Sequence, residues 1–369
     1  MKIAVLHTTF TQGNNGAERL CYLLAREFGS KIYTADYHPR VDSSYPGIKD
    51  MLVVKKIKHP DSFSRKDFEI MDVMERRDDI DADVILYSGN QTCFRIRSDP
   101  TPYVYFCHTP ERGFFDLYDD LKERMKKWGF PRYQISRYFF EKRRKMDIDL
   151  FRNHVNPEQV VTNSKLVMDR YERCYGKRPR RAVGAPIDTS IYKWKEPGDF
   201  FFTASGLRWN KRIDWQIGAA AKAKVKLKIA GDGPMMGELR ELSKKLRADV
   251  EFLGRIGERE LIEQYSSCKA FIFSAKDEDF GMVPLEALAS GKPVFCVGEG
   301  GPMEYLNNSN SFLFRDEDGL AAALGSCDDD AIKRMKADCM KSAEYFDVKK
   351  VARRIKDDLV EILAEFYRK

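Results

Sequence analysis

The segment "EDFGMVPLEALASGKPV", residues 278–294, predicts a glycine-containing loop, a short helix and a buried strand in immediate succession. Pro284 suits the first helical position, because the N–H that proline lacks would have no partner there. Gly291 suits the position just after the helix, and "PVFCVG" then has the pattern of a buried strand. The backbone N–H groups of residues 281–283 should therefore point out of the helix start. This arrangement predicts an anion-binding site.

The same succession of strand, polar turn and helix recurs along the chain. In the first half, apolar strands are predicted at "KIAVLHTT", "KIYTA", "DVILYS", "YVYFCH" and "QVVTNS". After a Pro/Lys-rich connection near residue 186, six more are predicted at "FFFTASG", "VKLKIAGDG", "VEFLG", "AFIFSA", "PVFCVG" and "SFLFR". The pattern indicates an α/β fold with two parallel-sheet domains joined by a linker.

Polar or glycine-rich turns follow six of these strands: "TFTQGNNGAE", "CHTPERG", "SGLRWNKR", "GDGP", "DEDFG" and "GEGGPME". Ligands of parallel sheets bind beyond the carboxyl ends of the strands. Two such domains that face one another would form an intervening cleft. The turns therefore predict a binding site in that cleft.

Length and composition are those of a globular protein. With 369 residues, 43% hydrophobic and 33% charged, the chain is expected to form two domains of ordinary size. No apolar run approaches the roughly 20 residues of a membrane span, and the first residues read as a strand rather than a signal peptide. The eight cysteines form no CxxC pair, which favours buried free thiols in the cytoplasm over a disulfide framework or a zinc site.

Positive charge is concentrated in residues 122–152. This segment holds eleven Lys/Arg against four Asp/Glu, together with seven aromatic residues. Basic residues mixed with aromatic ones suit an anionic membrane surface, although a solvated basic helix face has the same composition. No nucleic-acid-binding motif accompanies the charge, so nucleic acid is not an expected partner.

Two turns carry candidate ligand-binding side chains. "SGLRWNKRID" places Arg208, Lys211 and Arg212 after a strand, where they could clamp a diphosphate, although an exposed basic turn would look the same. His108 follows the strand "YVYFCH", and the predicted cleft favours a functional role for it over a structural one. "GEGGPMEYL" offers a second glycine-rich place for an anion, before a helix predicted to begin at Pro302.

Other motifs are missing or weak. "NNGAE" contains Gly13 and Gly16 but does not spell GxGxxG, which argues against a nicotinamide-dependent dehydrogenase, and the Walker pattern is also missing. The acidic runs "DEDF" and "DDD" (328–330) are interpreted as a loop and a helix cap. No metal site is therefore predicted.

Taken together, these motifs resemble the retaining glycosyltransferases of family 4, which have the GT-B fold of two Rossmann-like domains. "EDFGMVPLEALASGKPV" resembles the E-x7-E signature of that family, and "CHTPERGFFDLY" resembles its segment with the histidine of the N-terminal domain. Further landmarks match in order: "NGAERL", "TNSKLVMDRYERCYG", "GAPIDTSIY", "IAGDGPMMGEL", "VEFLGRI" and "GGPMEYL". The chain is most similar to mannosyltransferase-like members that build lipid-linked glycans and surface polysaccharides.

The resemblance implies a domain layout. Residues 1–190 would form the acceptor-side domain and residues 191–348 the nucleotide-sugar-binding domain. A C-terminal helix at about 349–369 would pack back onto the first domain. That helix carries an apolar stripe at Val351, Ile355, Leu359, Ile362 and Phe366.

The resemblance also implies roles for the second-domain residues. Glu286 would bind the ribose of the donor, and Glu278 would contact the hydroxyls of its sugar. Both glutamates lie at or before the start of one helix, whose dipole favours negative charge. Lys211 would bind the diphosphate. Backbone groups of three residues would line the sugar and phosphate: Phe280, Gly281 and Met282.

From the first domain, His108 would contact the donor sugar, and Gly16 would lie in a loop near the phosphates. The sequence departs from the family at Gly206, where an arginine is usual, and Arg208 is the candidate to replace that charge. The expected catalytic residues are thus His108, Lys211 and Glu278.

The function implied is transfer of a hexose, with retention, from a nucleoside-diphosphate sugar to a saccharide or polyprenol-linked acceptor. GDP-mannose is the first choice of donor, and the reaction is expected to need no cofactor or metal. The expected location is the cytoplasm, peripherally on the inner face of the membrane. The alternatives are a sugar-nucleotide epimerase or sugar-phosphate synthase of the same fold, and a catalytically inactive sugar-nucleotide-binding protein.

Overall fold

The computed structural model describes residues 1–13, 15–61 and 65–368. The chain divides into two compact units. Unit 1 comprises Met1–Gly184 together with Val351–Lys369, and unit 2 comprises Ala185–Lys350.

Unit 1 is built on a seven-stranded parallel sheet. Its strands are β1 (Ile3–His7), β2 (Lys31–Thr34), β3 (Leu52–Val54), β4 (Val84–Ser88), β5 (Tyr103–Cys107), β6 (Val160–Thr162) and β7 (Arg181–Ala182). Their order across the sheet is β3-β2-β1-β4-β5-β6-β7. The five strands predicted from apolar runs all form. The two that were not predicted, β3 and β7, are short strands at the edges.

The helices before residue 184 are α1 (Gly16–Phe28), α2 (Ile48–Met51), α3 (Lys66–Glu75), α4 (Tyr118–Lys126), α5 (Arg132–Asp149) and α6 (Lys165–Tyr175). Helix α1 begins at an Asn15 cap, whose side chain accepts from the N–H of Ala17, and ends at Gly29 in the left-handed region. Strands β1, β4 and β5 are buried at every position, as central strands of a covered parallel sheet are.

Unit 2 is built on a six-stranded parallel sheet of order β10-β9-β8-β11-β12-β13. The strands are β8 (Phe200–Ala204), β9 (Lys226–Ala230), β10 (Val250–Gly254), β11 (Phe271–Phe273), β12 (Val294–Val297) and β13 (Ser311–Phe314). The helices within it are α7 (Ile213–Ala223), α8 (Met236–Leu246), α9 (Glu258–Ser267), α10 (Met282–Ala289), α11 (Glu317–Gly325) and α12 (Asp329–Glu344). All six strands match predicted ones, so the prediction of two Rossmann-like parallel-sheet domains is confirmed.

The last helix, α13 (Val348–Arg368), begins in the sequence of unit 2 and continues in that of unit 1. Within unit 1, the buried carboxylate of Asp358 lies 3.0 Å from Arg180 Nε and 2.9 Å from Arg181 Nη2. Four residues of the predicted apolar stripe are buried, whereas Phe366 is 46% exposed. Phe366 belongs to the apolar stripe but lies beyond the last buried turn of α13.

The linker joins unit 2 earlier than the expected boundary at residues 190 and 191. Ile187 pairs by backbone hydrogen bonds with Phe346 and Val348, and the hydroxyl of Thr189 donates to Asp347 at 2.5 Å. These bonds place residues 185–190 in unit 2.

Among the described residues, no helix combines the length and the apolar composition needed to cross a membrane.

Candidate functional site

Two of the site residues predicted in unit 2, Lys211 and Glu278, form an ion pair. Lys211 Nζ lies 2.6 Å from Glu278 Oε2, and each side chain is about one-quarter exposed. Lys211 ends a short 3-10 turn that follows β8, and Glu278 lies in the loop after β11. Because β8 and β11 are neighbours in the sheet, their carboxyl ends bring these two distant positions together.

Ser274 fixes the backbone beneath this pair. Its buried hydroxyl lies 2.8 Å from the carbonyl oxygen of Lys211 and 3.0 Å from that of Arg212. The amide of Gln216 donates to the same hydroxyl at 2.7 Å. The lysine is thus held from below by a buried polar group, while its ammonium reaches the carboxylate of Glu278.

The loop that carries Glu278 packs closely against the second glycine-rich segment. The N–H of Gly301 donates to the carbonyl oxygen of Glu278 at 2.8 Å, and the hydroxyl of Tyr305 donates to that of Phe280 at 3.1 Å. A Cβ on Gly301 would lie 2.0 Å from the carbonyl oxygen of Asp279, so only glycine allows this approach. The two segments predicted separately as anion sites therefore form one structure.

Helix α10 starts earlier than predicted. It begins at Met282, after Gly281 with φ +80°, so Pro284 is the third helical residue and not the first. Proline is still tolerated there, because the N–H groups of the whole first turn have no helical partner. The first-turn N–H groups of residues 282 and 283 belong to an open helix start, as the anion-site prediction requires.

Glu286 consequently lies at the fifth position of α10, one turn into the helix, and is 2% exposed. The expectation that it lies at the helix start is wrong by one turn, and the dipole argument for its charge is weaker there. Phe280 is also buried, with its ring against Tyr305 and Phe346. Only the backbone of Phe280 is thus available to a ligand.

The other two cationic side chains of the "SGLRWNKRID" turn, Arg208 and Arg212, differ in their contacts and exposure. Arg212 Nη1 pairs with Glu299 Oε1 at 2.9 Å, and its guanidinium lies over the ring of Trp215. Arg208 is exposed. Gly206 is open: a Cβ there would meet no atom within 4 Å. The structure therefore leaves room near Gly206 for the arginine that the family resemblance led us to expect.

In unit 1, three polar side chains lie at the carboxyl ends of adjacent strands. His7 ends β1, Ser88 ends β4, and His108 follows β5; His7 pairs in register with Ser88. The Ser88 hydroxyl lies 2.6 Å from His108 Nε2 and 3.2 Å from His7 Nδ1. Cys21, from α1, completes the group, with its Sγ 2.9 Å from Ser88 Oγ and 3.3 Å from His7 Nδ1.

Burial sets the protonation of this His7–Cys21–Ser88–His108 cluster. It lowers the pKa of His108 to about 4. Burial, reinforced by the neighbouring His108, lowers the pKa of His7 to about 3. Burial also raises the pKa of the Cys21 thiol to about 12. At neutral pH the cluster therefore has two neutral imidazoles and a protonated thiol.

Gly16 opens α1 beside a loop that is fixed by a buried glutamate. The carboxylate of Glu18 accepts from the N–H groups of Thr11, Gln12 and Gly13 at 2.8, 3.0 and 2.9 Å. Asn14, within the same predicted turn, lies outside the described residues. The loop after β1 is thus organised by a carboxylate of the following helix.

Several of these supporting residues were missed by the sequence analysis: His7, Glu18, Cys21, Ser88, Ser274 and Tyr305. His7 and Ser88 had a usable signal, because each ends a predicted central strand. Glu18 also stands within the quoted "NNGAE" motif. For Cys21, Ser274 and Tyr305, only the folded structure brings them to the site.

Most of unit 2 matches one known family. Residues 186–338 match the family "Glycosyl transferases group 1". This region contains Lys211, Glu278 and Glu286, whereas His108 and Gly16 lie outside it.

Two curated relatives match over part of the chain. An alpha-monoglucosyldiacylglycerol synthase of Streptococcus pneumoniae is 39% identical over 108 residues, which are 27% of this chain and 24% of the relative. A GDP-mannose-dependent alpha-mannosyltransferase of Mycobacterium tuberculosis is 36% identical over 96 residues, 26% of this chain and 24% of the relative. The matched part thus spans about a quarter of each relative's length.

Among solved structures, Anabaena Alr3699/HepE in complex with UDP-glucose superposes with a TM-score of 0.75 at 16% identity. The superposition covers 98% of this chain and 100% of that one. At this identity the likeness shows the fold, and it agrees with the two parallel sheets described above. The chain therefore has the GT-B fold, and residues 186–338, which lie in unit 2, match the family "Glycosyl transferases group 1".

Proposed function

We propose that this chain is a retaining glycosyltransferase, which transfers a hexose from a nucleoside-diphosphate sugar to a hydroxyl of a saccharide acceptor. The observation that carries the proposal is the Lys211–Glu278 ion pair, 2.6 Å long, beside the open start of α10. A cation suits a diphosphate, and a carboxylate accepts hydrogen bonds from sugar hydroxyls. The match of this region to group 1 glycosyl transferases supports the same assignment.

In the proposed complex, Lys211 binds the diphosphate and stabilises it as it leaves, with Arg208 as a second cation nearby. Glu278 exchanges its partner Lys211 for hydroxyls of the donor sugar. The backbone of residues 280–282 lines the sugar and the phosphates, which fits the buried side chain of Phe280. Glu286 binds the ribose.

For His108 and the Gly16 loop, the proposed roles are those that the family resemblance implies, at the donor sugar and at the phosphates. The hydrogen bond between Ser88 Oγ and His108 Nε2 holds the ring in one orientation. In the reaction, the acceptor oxygen bonds to the anomeric carbon while the bond from that carbon to the diphosphate breaks. The acceptor proton passes to the departing diphosphate. The transfer is expected to proceed without a metal.

GDP-mannose is the first donor to test, and the name of the mycobacterial relative supports this choice. The Anabaena complex contains UDP-glucose, so uridine nucleotides are the second donor class. The experiment measures the melting temperature with GDP, UDP, ADP and their common sugar conjugates. A ligand at a hundred times its dissociation constant should add about 2.7 kcal/mol of stability.

We expect a shift with one nucleotide family, and its loss in Glu286→Gln. The matched control is Glu263→Gln, because Glu263 pairs with Lys195 on the exposed face of α9. The absence of a shift with every nucleotide would contradict the proposed donor site.

A catalytically inactive nucleotide-sugar-binding protein is the second candidate, because Gly206 replaces the arginine expected there. Such a protein would show the thermal shift but would release no nucleotide when acceptors are added. An epimerase or sugar-phosphate synthase of the same fold is the other alternative. Dependence on the acceptor separates the epimerase: it converts the donor alone, whereas the proposed transferase requires a saccharide acceptor.

We also propose that the acceptor, such as a polyprenol-linked saccharide, is presented at an anionic membrane. Four apolar side chains of the 122–152 segment are exposed: Trp128 (40%), Phe130 (83%), Ile135 (51%) and Tyr138 (64%). They lie in the loop after α4 and on α5, among the lysines and arginines of the segment. Exposed aromatic residues next to positive charge suit the lipid–water interface.

Flotation with liposomes tests this surface. We expect binding to vesicles with anionic lipid, little binding to neutral vesicles, and a loss of binding in Phe130→Ser/Ile135→Ser. Leu246→Ser, at an exposed leucine of unit 2, is the control. Binding that ignores both the lipid charge and the double substitution would contradict a membrane role for this segment.

A further inference from the structure

The cluster at the strand ends of unit 1 contains the donor atoms of a metal site. His7 Nδ1 or Nε2, Cys21 Sγ and a ring nitrogen of His108 all lie within 4.8 Å of one another. His7 ends β1 and His108 follows β5, so they lie on either side of β4 at the carboxyl edge of the sheet, and Cys21 comes from α1. Nothing in the proposed glycosyl transfer uses His7 or Cys21.

We propose that His7, Cys21 and His108 bind one transition-metal ion of the zinc class. Two imidazole nitrogens and a thiolate are the ligand types that Zn²⁺ and Co²⁺ accept in tetrahedral sites. The site shares His108 with the proposed donor site, but its test measures metal binding alone and can therefore fail without the proposed transferase activity failing.

One of the three distances between ligand atoms, that between His7 and Cys21, already fits tetrahedral coordination. Zn–S and Zn–N bonds of about 2.3 and 2.0–2.1 Å put the two ligand atoms about 3.5 Å apart. His7 Nδ1 and Cys21 Sγ are 3.3 Å apart. His108 Nε2 must approach the other two ligand atoms by about 1 Å, starting from separations within 4.8 Å.

Ser88 provides the fourth position. Its hydroxyl oxygen lies 2.9 Å from Cys21 Sγ, 3.2 Å from His7 Nδ1 and 2.6 Å from His108 Nε2. It can ligate the ion weakly, or turn aside to admit a water molecule. On binding, the Cys21 thiol loses its proton to solvent, and both imidazoles bind in their neutral form.

The positions of the ligands favour a preformed site. Strands β1, β4 and β5 are central in the sheet and buried along their whole length, so the backbone under His7, Ser88 and His108 is rigid. His108 is only partly buried, and the ion would enter from its side. A site on rigid strands needs little reorganisation to bind its ion.

The test is a titration of the reduced, metal-free full chain with Co²⁺, followed by absorption spectroscopy. We expect one equivalent to bind with a thiolate-to-cobalt charge-transfer band in the near ultraviolet and the visible bands of tetrahedral Co²⁺. Zn²⁺ should displace it. The charge-transfer band should vanish in Cys21→Ser, and His7→Gln should weaken binding by more than the roughly 10–100-fold typical of an outer-shell change.

Cys93→Ser is the matched control, because Cys93 is another fully buried thiol of unit 1 and should leave the spectrum unchanged. The wild-type titration decides the matter even if a variant does not fold. Cobalt binding without a thiolate band, or no binding by the folded protein, would overturn the proposal and leave the cluster as a hydrogen-bonded network.

Discussion

At the scale of single residues, the contact between Lys211 and Glu278 gives the sharpest test of the proposed chemistry. We expect Lys211→Ala to lower kcat by about 10²–10³, because a preorganised cation aimed at the leaving diphosphate would be lost. Lys195→Ala is the matched control: Lys195 also pairs with a glutamate at 2.6 Å, but both partners are half exposed. The measurement is transfer at saturating donor. A kcat equal to that of the wild type would contradict the proposed role of Lys211.

Gly281 tests the loop that precedes α10. Its φ is +80°, and an added Cβ would lie 3.0 Å from Pro302 Cγ and 3.1 Å from the hydroxyl of Tyr305. We expect Gly281→Ala to lower the free energy of unfolding by about 1–3 kcal/mol, measured in urea. Gly298→Ala, where a Cβ meets no atom within 4 Å, should change it by less than about 0.5 kcal/mol. Equal effects at both positions would show that backbone strain is not the cause.

At the scale of elements, Arg77 ties the edge of the first sheet together. Its buried guanidinium donates to the carbonyl oxygens of Thr34 at the end of β2 and Val53 in β3, and pairs with Asp79 at 2.9 Å. The hydrogen bond from Arg77 lowers the pKa of Asp79 below its usual 3.8. The ionised carboxylate therefore stabilises the folded state above pH 3.8, and this stabilisation is lost as the pH falls through the lower, folded-state pKa.

We expect Asp79→Asn to lower the free energy of unfolding by about 0.5–1 kcal/mol at pH 7, a modest loss because Asp79 is 40% exposed. The difference from the wild type should shrink below pH 3.8. Urea unfolding over a series of pH values measures both effects. Asp78→Asn, at a 93% exposed neighbour, is the control and should match the wild type throughout. A deficit that persists unchanged at the lowest pH would contradict the electrostatic explanation.

The more deeply a strand is buried, the more readily it was predicted from the sequence. The central strands stood out because covered parallel strands are continuous apolar runs, and all six strands of unit 2 were found in this way. Strand β7 has two residues, one of them Arg181, and β3 is only partly buried, so neither has that signature. The start of α10 was misplaced by two residues, because Gly281 in the left-handed region could not be distinguished from an ordinary loop glycine.

The site residues of unit 2 could be predicted because each lies in a short segment with a recognisable sequence pattern. Glu278 and Glu286 lie on one loop and helix, and Lys211 follows a strand, so local patterns pointed to them. The cluster of His7, Cys21 and Ser88 depends on the order β1-β4-β5, which places residues 7 and 88 side by side. No local pattern contains that order.

At the scale of the whole molecule, Asp358 joins the end of the chain to unit 1. Its buried carboxylate pairs with Arg180 and Arg181 at 3.0 and 2.9 Å. We expect Asp358→Asn to lower the free energy of unfolding by about 2 kcal/mol, less than the 3–5 kcal/mol of a fully buried pair because Arg181 is 41% exposed. Asp357→Asn, on the exposed side of α13, is the control. Equal unfolding midpoints for the two variants would show that the pairing contributes nothing.

The discontinuity of unit 1 has a consequence for how the protein is made. Residues 1–184 leave the ribosome before unit 2 exists, but the helix residues from Val351 that complete unit 1 are made only after unit 2. At ordinary rates of translation, residues 185–350 take roughly 10–30 s to synthesise. During that interval the apolar surface that will receive Val351, Ile355 and Leu359 stays uncovered. We therefore expect the nascent first half to be the stage most prone to aggregation, whereas unit 2 can fold as soon as it emerges.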